Sequence, residues 1–95
     1  MDPQERRPGM IIKDTRYLVF KVTEQKPKTK VISVINKSSQ RPIAKILWYP
    51  EWRQYCFLPN PGTIWNNTCL NEVNSVIDML MAERRTAKVE EGGRL

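Results

Sequence analysis

The sequence predicts an α+β domain, in which a four-stranded antiparallel sheet (β-β-β-β-α) is followed by one C-terminal helix packed on one face. Three observations predict it. Four runs rich in β-branched and aromatic residues succeed one another between turn clusters over residues 16–58. Beyond them, over residues 70–81, apolar residues recur at helical spacing. A chain of 95 residues, 40% of them apolar, supplies one hydrophobic core and not two.

Residues 1–13, MDPQERRPGMIIK, are polar and proline-broken as far as Met10 and read as a flexible arm ahead of a single domain over 14–86. In RYLVFKVT (16–23), Leu18, Phe20 and Val22 form an apolar face, with Tyr17, Val19 and Lys21 on the other. The turn segment EQKPKTK carries Lys26, Lys28 and Lys30, and VISVIN (31–36) makes the second strand. NKSSQRP, with Lys37 and Arg41, has turn composition.

IAKILWY (43–49) and RQYCFL (53–58) flank Pro50 and Glu51 as a tight hairpin. A loop centred there sets Trp48 opposite Arg53 and Ile46 opposite Tyr55. Ile46, Trp48, Arg53, Tyr55 and Phe57 then share one face, and Leu47, Tyr49, Trp52, Gln54 and Cys56 share the other. PNPGT is a further turn, after which Asn66, Asn67 or Thr68 caps a helix running to about Arg85. Leu70, Val73, Ile77, Leu80 and Met81 form its apolar stripe, with Glu72, Ser75, Asp78 and Glu83 off it. Arg84 and Arg85 suit the negative end of the helix dipole, and residues 87–95 read as a flexible tail.

Charge is unevenly distributed. Residues 1–60 hold twelve Lys/Arg against five Asp/Glu, and residues 61–95 hold four against five, so the net +6 arises before Gly62. A positive field of this kind raises the local concentration of phosphate-bearing partners, and it also keeps a small protein soluble. The chain has no His, and Cys56 and Cys69 lack CxxC spacing, which argues against a metal site and for two unpaired thiols. No apolar run approaches a bilayer span and the first residues lack a signal-peptide core, so a cytoplasmic location is expected. Without His, a Gly-rich phosphate loop, a carboxylate cluster or a nucleophile beside a base, the sequence does not read as an enzyme, and no cofactor is expected.

The densest feature is WYPEWRQYCF (48–57), with five aromatic rings and Arg53 in ten residues. Flat rings offer stacking surfaces to bases, and an arginine fork pairs with phosphate. Trp48, Tyr49, Trp52 and Tyr55 are therefore candidate stacking residues, with Lys45 and Arg53 as phosphate contacts. The helix start, with Asn66 and Thr68, is a further candidate anion contact. Lys26, Lys28, Lys30, Lys37 and Arg41 form a candidate basic patch. The same rings equally suit a small core and a hairpin tip.

At this hairpin, Asn36, Trp48, Tyr49, Trp52, Arg53, Tyr55, Phe57, Pro59, Thr63, Trp65, Cys69 and Leu70 fall in a pattern. An Asn-bearing strand precedes a W-Y-x-x-W-R-x-Y-x-F-x-P block and a T-x-W-x-x-x-C-L helix start. The pattern resembles that of small uncharacterised proteins of phages and mobile elements, over roughly residues 31–85. The resemblance implies a phage-type accessory protein of the host cytoplasm and favours host-interaction roles, among them inhibition of bacterial defence. Two functions are expected from residues and resemblance together. The first is binding of a nucleotide, including sequestration of a defence-signalling nucleotide across a homo-oligomer, or of nucleic acid. The alternative is a protein-interaction inhibitor of a host defence enzyme, of the anti-CRISPR type, since Trp, Tyr and Arg also anchor protein interfaces.

Overall fold

The computed structural model describes residues 9–92, with side chains through Thr86. Five strands, β1 (Ile11–Asp14), β2 (Leu18–Gln25), β3 (Lys30–Asn36), β4 (Arg41–Tyr49) and β5 (Gln54–Pro59), precede one helix, α1 (Asn67–Gly92). They form a single antiparallel sheet in chain order. The α+β class and the sheet-then-helix order agree with the sequence, and the strand count rises from four to five.

The additional strand lies largely in the segment expected to be an arm. Four residues that include Lys13 and Asp14 carry too little pattern to announce a strand. Pairing with β2 makes them one, because the outer amides and carbonyls of β2 need partners. Ile11 pairs with Lys21, Lys13 with Phe20 and Asp14 with Val19, across a bulge between Ile11 and Lys13. The corner after β1 is tied to the helix. The Thr15 hydroxyl accepts the Leu18 N–H (3.1 Å) and donates to the Glu72 carboxylate (2.7 Å), and Lys13 Nζ reaches the Ser75 hydroxyl (3.2 Å). Residues 1–8 of the expected arm and 93–95 of the expected tail lie outside the described residues.

Alternation places Leu18, Phe20, Val22, Ile32, Val34, Ala44, Ile46 and Tyr55 under α1, which buries Val73, Val76 and Leu80 against them. Complete burial of a side chain such as Phe20 contributes about 1.5–3 kcal/mol of hydrophobic free energy. The helix is rotated from the expected stripe by roughly 60° at 100° per residue. Val76 enters the core, and Leu70 turns outward to 43% exposure. Slim Val73 and Val76 let the helix sit close to the sheet, while Met81 reaches in from the flank, its Sδ accepting the Tyr55 N–H (3.4 Å). That contact, with Pro59 lacking an N–H at the strand end, leaves β5 a poor edge for another strand. The helix also passes Arg85 to reach Gly92, because Ala87, Lys88, Glu90 and Glu91 are good helix formers and the first glycine comes only there.

The hairpin register shifts by two residues from the expected one. Trp48 faces Tyr55, Ile46 faces Phe57, and Tyr49 and Gln54 close a four-residue loop. A two-residue hairpin loop needs positive φ at its first position, which proline cannot adopt. The longer loop needs it only at its last residue, Arg53, with φ of 55°. The Arg53 N–H then bonds the Tyr49 carbonyl at 2.9 Å. The β3–β4 loop has the same design: Asn36 and Arg41 close it, Gln40 has φ of 62°, and the Gln40 N–H bonds the Asn36 carbonyl at 2.7 Å. A shift of two preserves face, so Ile46, Trp48, Tyr55 and Phe57 remain together under the helix. Arg53 leaves the strand for the loop.

Candidate ligand-binding surface at the hairpin

The antiparallel strands give the sheet two ends. One carries the lysine turn after β2, the β4–β5 loop and the C-terminal half of α1. The other carries the β1–β2 turn, the β3–β4 loop and the start of α1. The expected basic patch is divided between them: Lys26, Lys28 and Lys30 lie at the hairpin end, and Lys37 and Arg41 at the opposite end. Asn66 and Thr68 also lie opposite the hairpin. Asn66 caps α1, its Oδ1 accepting the Cys69 N–H at 2.8 Å.

The aromatic constellation is divided by sheet face. Trp48 and Tyr55 lie on the helix side in an edge-to-face pair with centroids 5.4 Å apart. Tyr55 is 4% exposed, and its hydroxyl accepts the Lys30 N–H at 3.2 Å. It is therefore a core residue and not a stacking platform, because its register places it under the helix. Burial pushes its pKa above the ordinary 10.0. The Lys30 N–H opposes that shift, the Glu83 carboxylate adds to it, and Arg84 opposes it. Trp48 is half-buried, with the Arg84 guanidinium 5.1 Å from its ring centroid. The sequence suggests for Arg84 only a dipole role. Its seat over Trp48 arises because α1 runs past the hairpin.

Between these groups lies a cleft of about 150 Å³ lined by Lys28, Lys30, Tyr55, Glu83 and Arg84, among others. Lys30 Nζ pairs with Glu83 at 2.9 Å, so a carboxylate already occupies one of its basic groups. An anion meets competition there.

Tyr49, Trp52, Arg53 and Lys45 stand differently. Lys45 and Tyr49 alternate with Ala44, Ile46 and Trp48, and so project from the sheet face that α1 leaves open. Tyr49 packs edge-to-face with Trp52, centroids 5.2 Å apart, which leaves the Trp52 indole 66% exposed at the loop tip. Arg53 and Lys45 are exposed and pair with no carboxylate among the described residues. Cross-strand pairs Ile11–Lys21, Lys21–Ser33, Ser33–Lys45 and Lys45–Leu58 run as one row across this face. Lys21 thus joins Lys45 on either side of Ser33. Sequence reasoning passes over Lys21, although its place opposite Phe20 and Val22 in the alternation was the available signal.

The two thiols are free, and no group of three or more His, Cys, Asp or Glu side chains gathers at metal-binding distance among the described residues. Among the described residues, no helix is long and apolar enough to cross a membrane.

Among known proteins, the chain is 36% identical over 77 residues to the "Uncharacterized 9.3 kDa protein" of Acholeplasma phage L2. That match spans 80% of this chain and 99% of the phage protein. The chain belongs to this phage protein's family. No family model matches it, and no solved structure matches. For the phage 9.3 kDa family the structure thus supplies the fold, a five-stranded sheet with one covered face and one open face. The hairpin tip stands at the edge of the open one.

Proposed function

We propose that this protein is a non-catalytic phage-type accessory protein that binds a phosphate-bearing ligand, a nucleotide or a stretch of nucleic acid, at its hairpin end. One form of this activity is sequestration of a defence-signalling nucleotide inside the host cell. The observation that carries the reading is the exposed Trp52 indole, backed by Tyr49 and followed in the loop by Arg53, with Lys45 four residues before Tyr49 on the same open face; neither cation has a carboxylate partner among the described residues. A free indole face stacks on any base, and the two cations meet its phosphates. The site consists of Tyr49, Trp52, Arg53 and Lys45, with Lys21 and the Lys26–Lys28 turn around it. Trp48 and Tyr55 support it from the core.

The test is quenching of tryptophan fluorescence by single-stranded oligonucleotides and by dinucleotides at two salt concentrations. An oligonucleotide that neutralises Lys21, Lys45 and Arg53 gives a log–log salt slope of about −2, from about −0.7 per phosphate contact, and a dinucleotide gives a shallower one. Trp52→Ala with Arg53→Ala abolishes either. Binding that survives this double change unaltered overturns the proposal. The second reading, an inhibitor that docks the hairpin on a host defence enzyme, is favoured by the same exposed Trp beside an Arg, the residue types that dominate interface energetics. In that case quenching by nucleotides is absent, and the double change abolishes capture of a host protein.

A further inference from the structure

At the end of the sheet away from the hairpin, a second cleft of about 230 Å³ opens between the β1–β2 turn, the β3–β4 loop and the segment leading into α1. We propose that it is a separate binding site for a nucleoside monophosphate. Strands of seven or eight residues rising about 3.3 Å each put it roughly 20 Å from Trp52, too far for the two places to share one small ligand.

Its floor and its rim differ in chemistry. Leu18, Ile43, Cys69 and the Trp65 indole make the floor apolar. Trp65 is held in place: its ring meets Phe57 edge-on with centroids 4.9 Å apart, and its Nε1–H donates to Thr63 Oγ1 at 2.8 Å. The Thr63 hydroxyl in turn donates to the Asn60 carbonyl at 2.7 Å. Ile64, 94% exposed at the cleft wall, is the side chain with most to gain from an apolar occupant.

The rim offers hydrogen-bond donors. Asn36 Oδ1 is engaged by the Ser38 and Ser39 N–H groups (2.9 and 3.3 Å), and Asn66 Oδ1 by the Cys69 N–H. Each oxygen is thereby used by the backbone, which leaves the NH₂ group of each of these two lining residues without a partner among the described residues. The Arg16 guanidinium, lying 5.3 Å from the Tyr17 ring centroid, adds a cation. Lys37 also lines the cleft, though its ammonium is engaged by the Asp14 carboxylate and the Thr15 carbonyl. No carboxylate is among the described residues that line it. Donors above an apolar floor select a flat ring that carries an acceptor-rich anion. The volume is below the roughly 300–1,000 Å³ that encloses drug-sized ligands, so one base with its phosphate fits and a dinucleotide does not.

The two asparagines provide a variant that spares the fold. In Asn36→Asp and Asn66→Asp the carboxylate still accepts the same backbone N–H groups, and Asp caps a helix as well as Asn. Each change replaces the NH₂ donor by a negative charge.

The experiment is titration of the full ¹⁵N-labelled chain with AMP, and separately with inorganic phosphate, followed by NMR. The three tryptophan indoles and the asparagine carboxamides report independently. The expected result is saturable shifts with AMP at the Trp65 indole and at the Asn36 and Asn66 amides. Affinity should fall about tenfold or more in the doubly substituted protein, with unchanged thermal melting, and should be unaffected in Trp52→Ala. Shifts confined to Trp52, or none up to about 10 mM AMP, overturn the inference, and the first of these leaves the hairpin proposal standing. Equal affinity for AMP and phosphate overturns the ring seat, and undiminished binding in the doubly substituted protein overturns the donor rim.

Discussion

Arg53 adopts a left-handed backbone conformation, with φ of 55°, in a loop where it is also the proposed phosphate contact. For a residue with a β-carbon this conformation costs about 1–2 kcal/mol. Arg53→Gly removes that strain, and the larger freedom of glycine in the unfolded chain cancels about 0.5–1 kcal/mol of the gain. The net expectation is a stabilisation of about 0.5–1 kcal/mol, which raises Tm by roughly 2–8 °C in a domain of this size. Ligand binding should move the opposite way, weakening about tenfold or more with loss of a charge-assisted hydrogen bond. Calorimetry and fluorescence titration of one protein preparation measure both. Gln40→Gly is the control, because Gln40 holds the same conformation in the equivalent loop at the other end of the sheet. It should gain stability and leave hairpin binding unchanged. A fall in Tm for both variants would refute the strain argument. A fall for Arg53→Gly alone would show that the Arg53 side chain stabilises the loop, and a rise with binding intact would remove Arg53 from the site.

The two hairpin tryptophans should behave as opposites. Trp48→Ala, which empties a half-buried place against Tyr55 and Arg84, should cost about 3 kcal/mol in denaturant unfolding. Trp52→Ala should change stability by less than about 1 kcal/mol while abolishing dinucleotide binding measured by calorimetry. Tyr55 predicts an alkaline limit to stability. Its folded pKa lies above the ordinary 10.0, so above that pH the folded protein retains a proton that the unfolded chain releases. The stabilisation is full below pH 10 and is lost as pH rises toward the folded value. Ultraviolet titration should show Tyr55 ionising above the ordinary 10.0, and Tyr55→Phe should flatten this alkaline loss of stability.

The legible parts of this fold were those with strong local pattern. Leu18, Phe20 and Val22 alternate cleanly, and their burial under the helix is what that alternation demands. The turn of helical phase was harder to read. Leu70 and Val76 are both apolar and both near the stripe, and a choice between them depends on how closely a helix approaches a sheet. Strand β1 was illegible for a related reason: its four residues become a strand through the unpaired edge of β2, a partner contiguous in space and distant in pattern. In the hairpin, Pro50 already excludes a two-residue loop, so the register was legible in principle from the φ of one residue.

The candidate site divides along the same line. Residue types and their spacing sufficed for the α+β class, for the charge imbalance and for an unusual density of aromatic rings beside an arginine, because these are properties of local sequence and of sums over it. Which rings are free is a different kind of quantity. Tyr55 and Tyr49 are both phenols in adjacent strands of one hairpin, yet Tyr55 is buried beneath α1 and Tyr49 supports the exposed Trp52. Likewise, lysines that look like one patch along the chain lie at opposite ends of the sheet, and one of them pairs with a glutamate 53 residues away. The face that a helix covers, and the end to which an antiparallel strand returns a charge, follow from packing between distant segments, and that packing separates core rings from free ones.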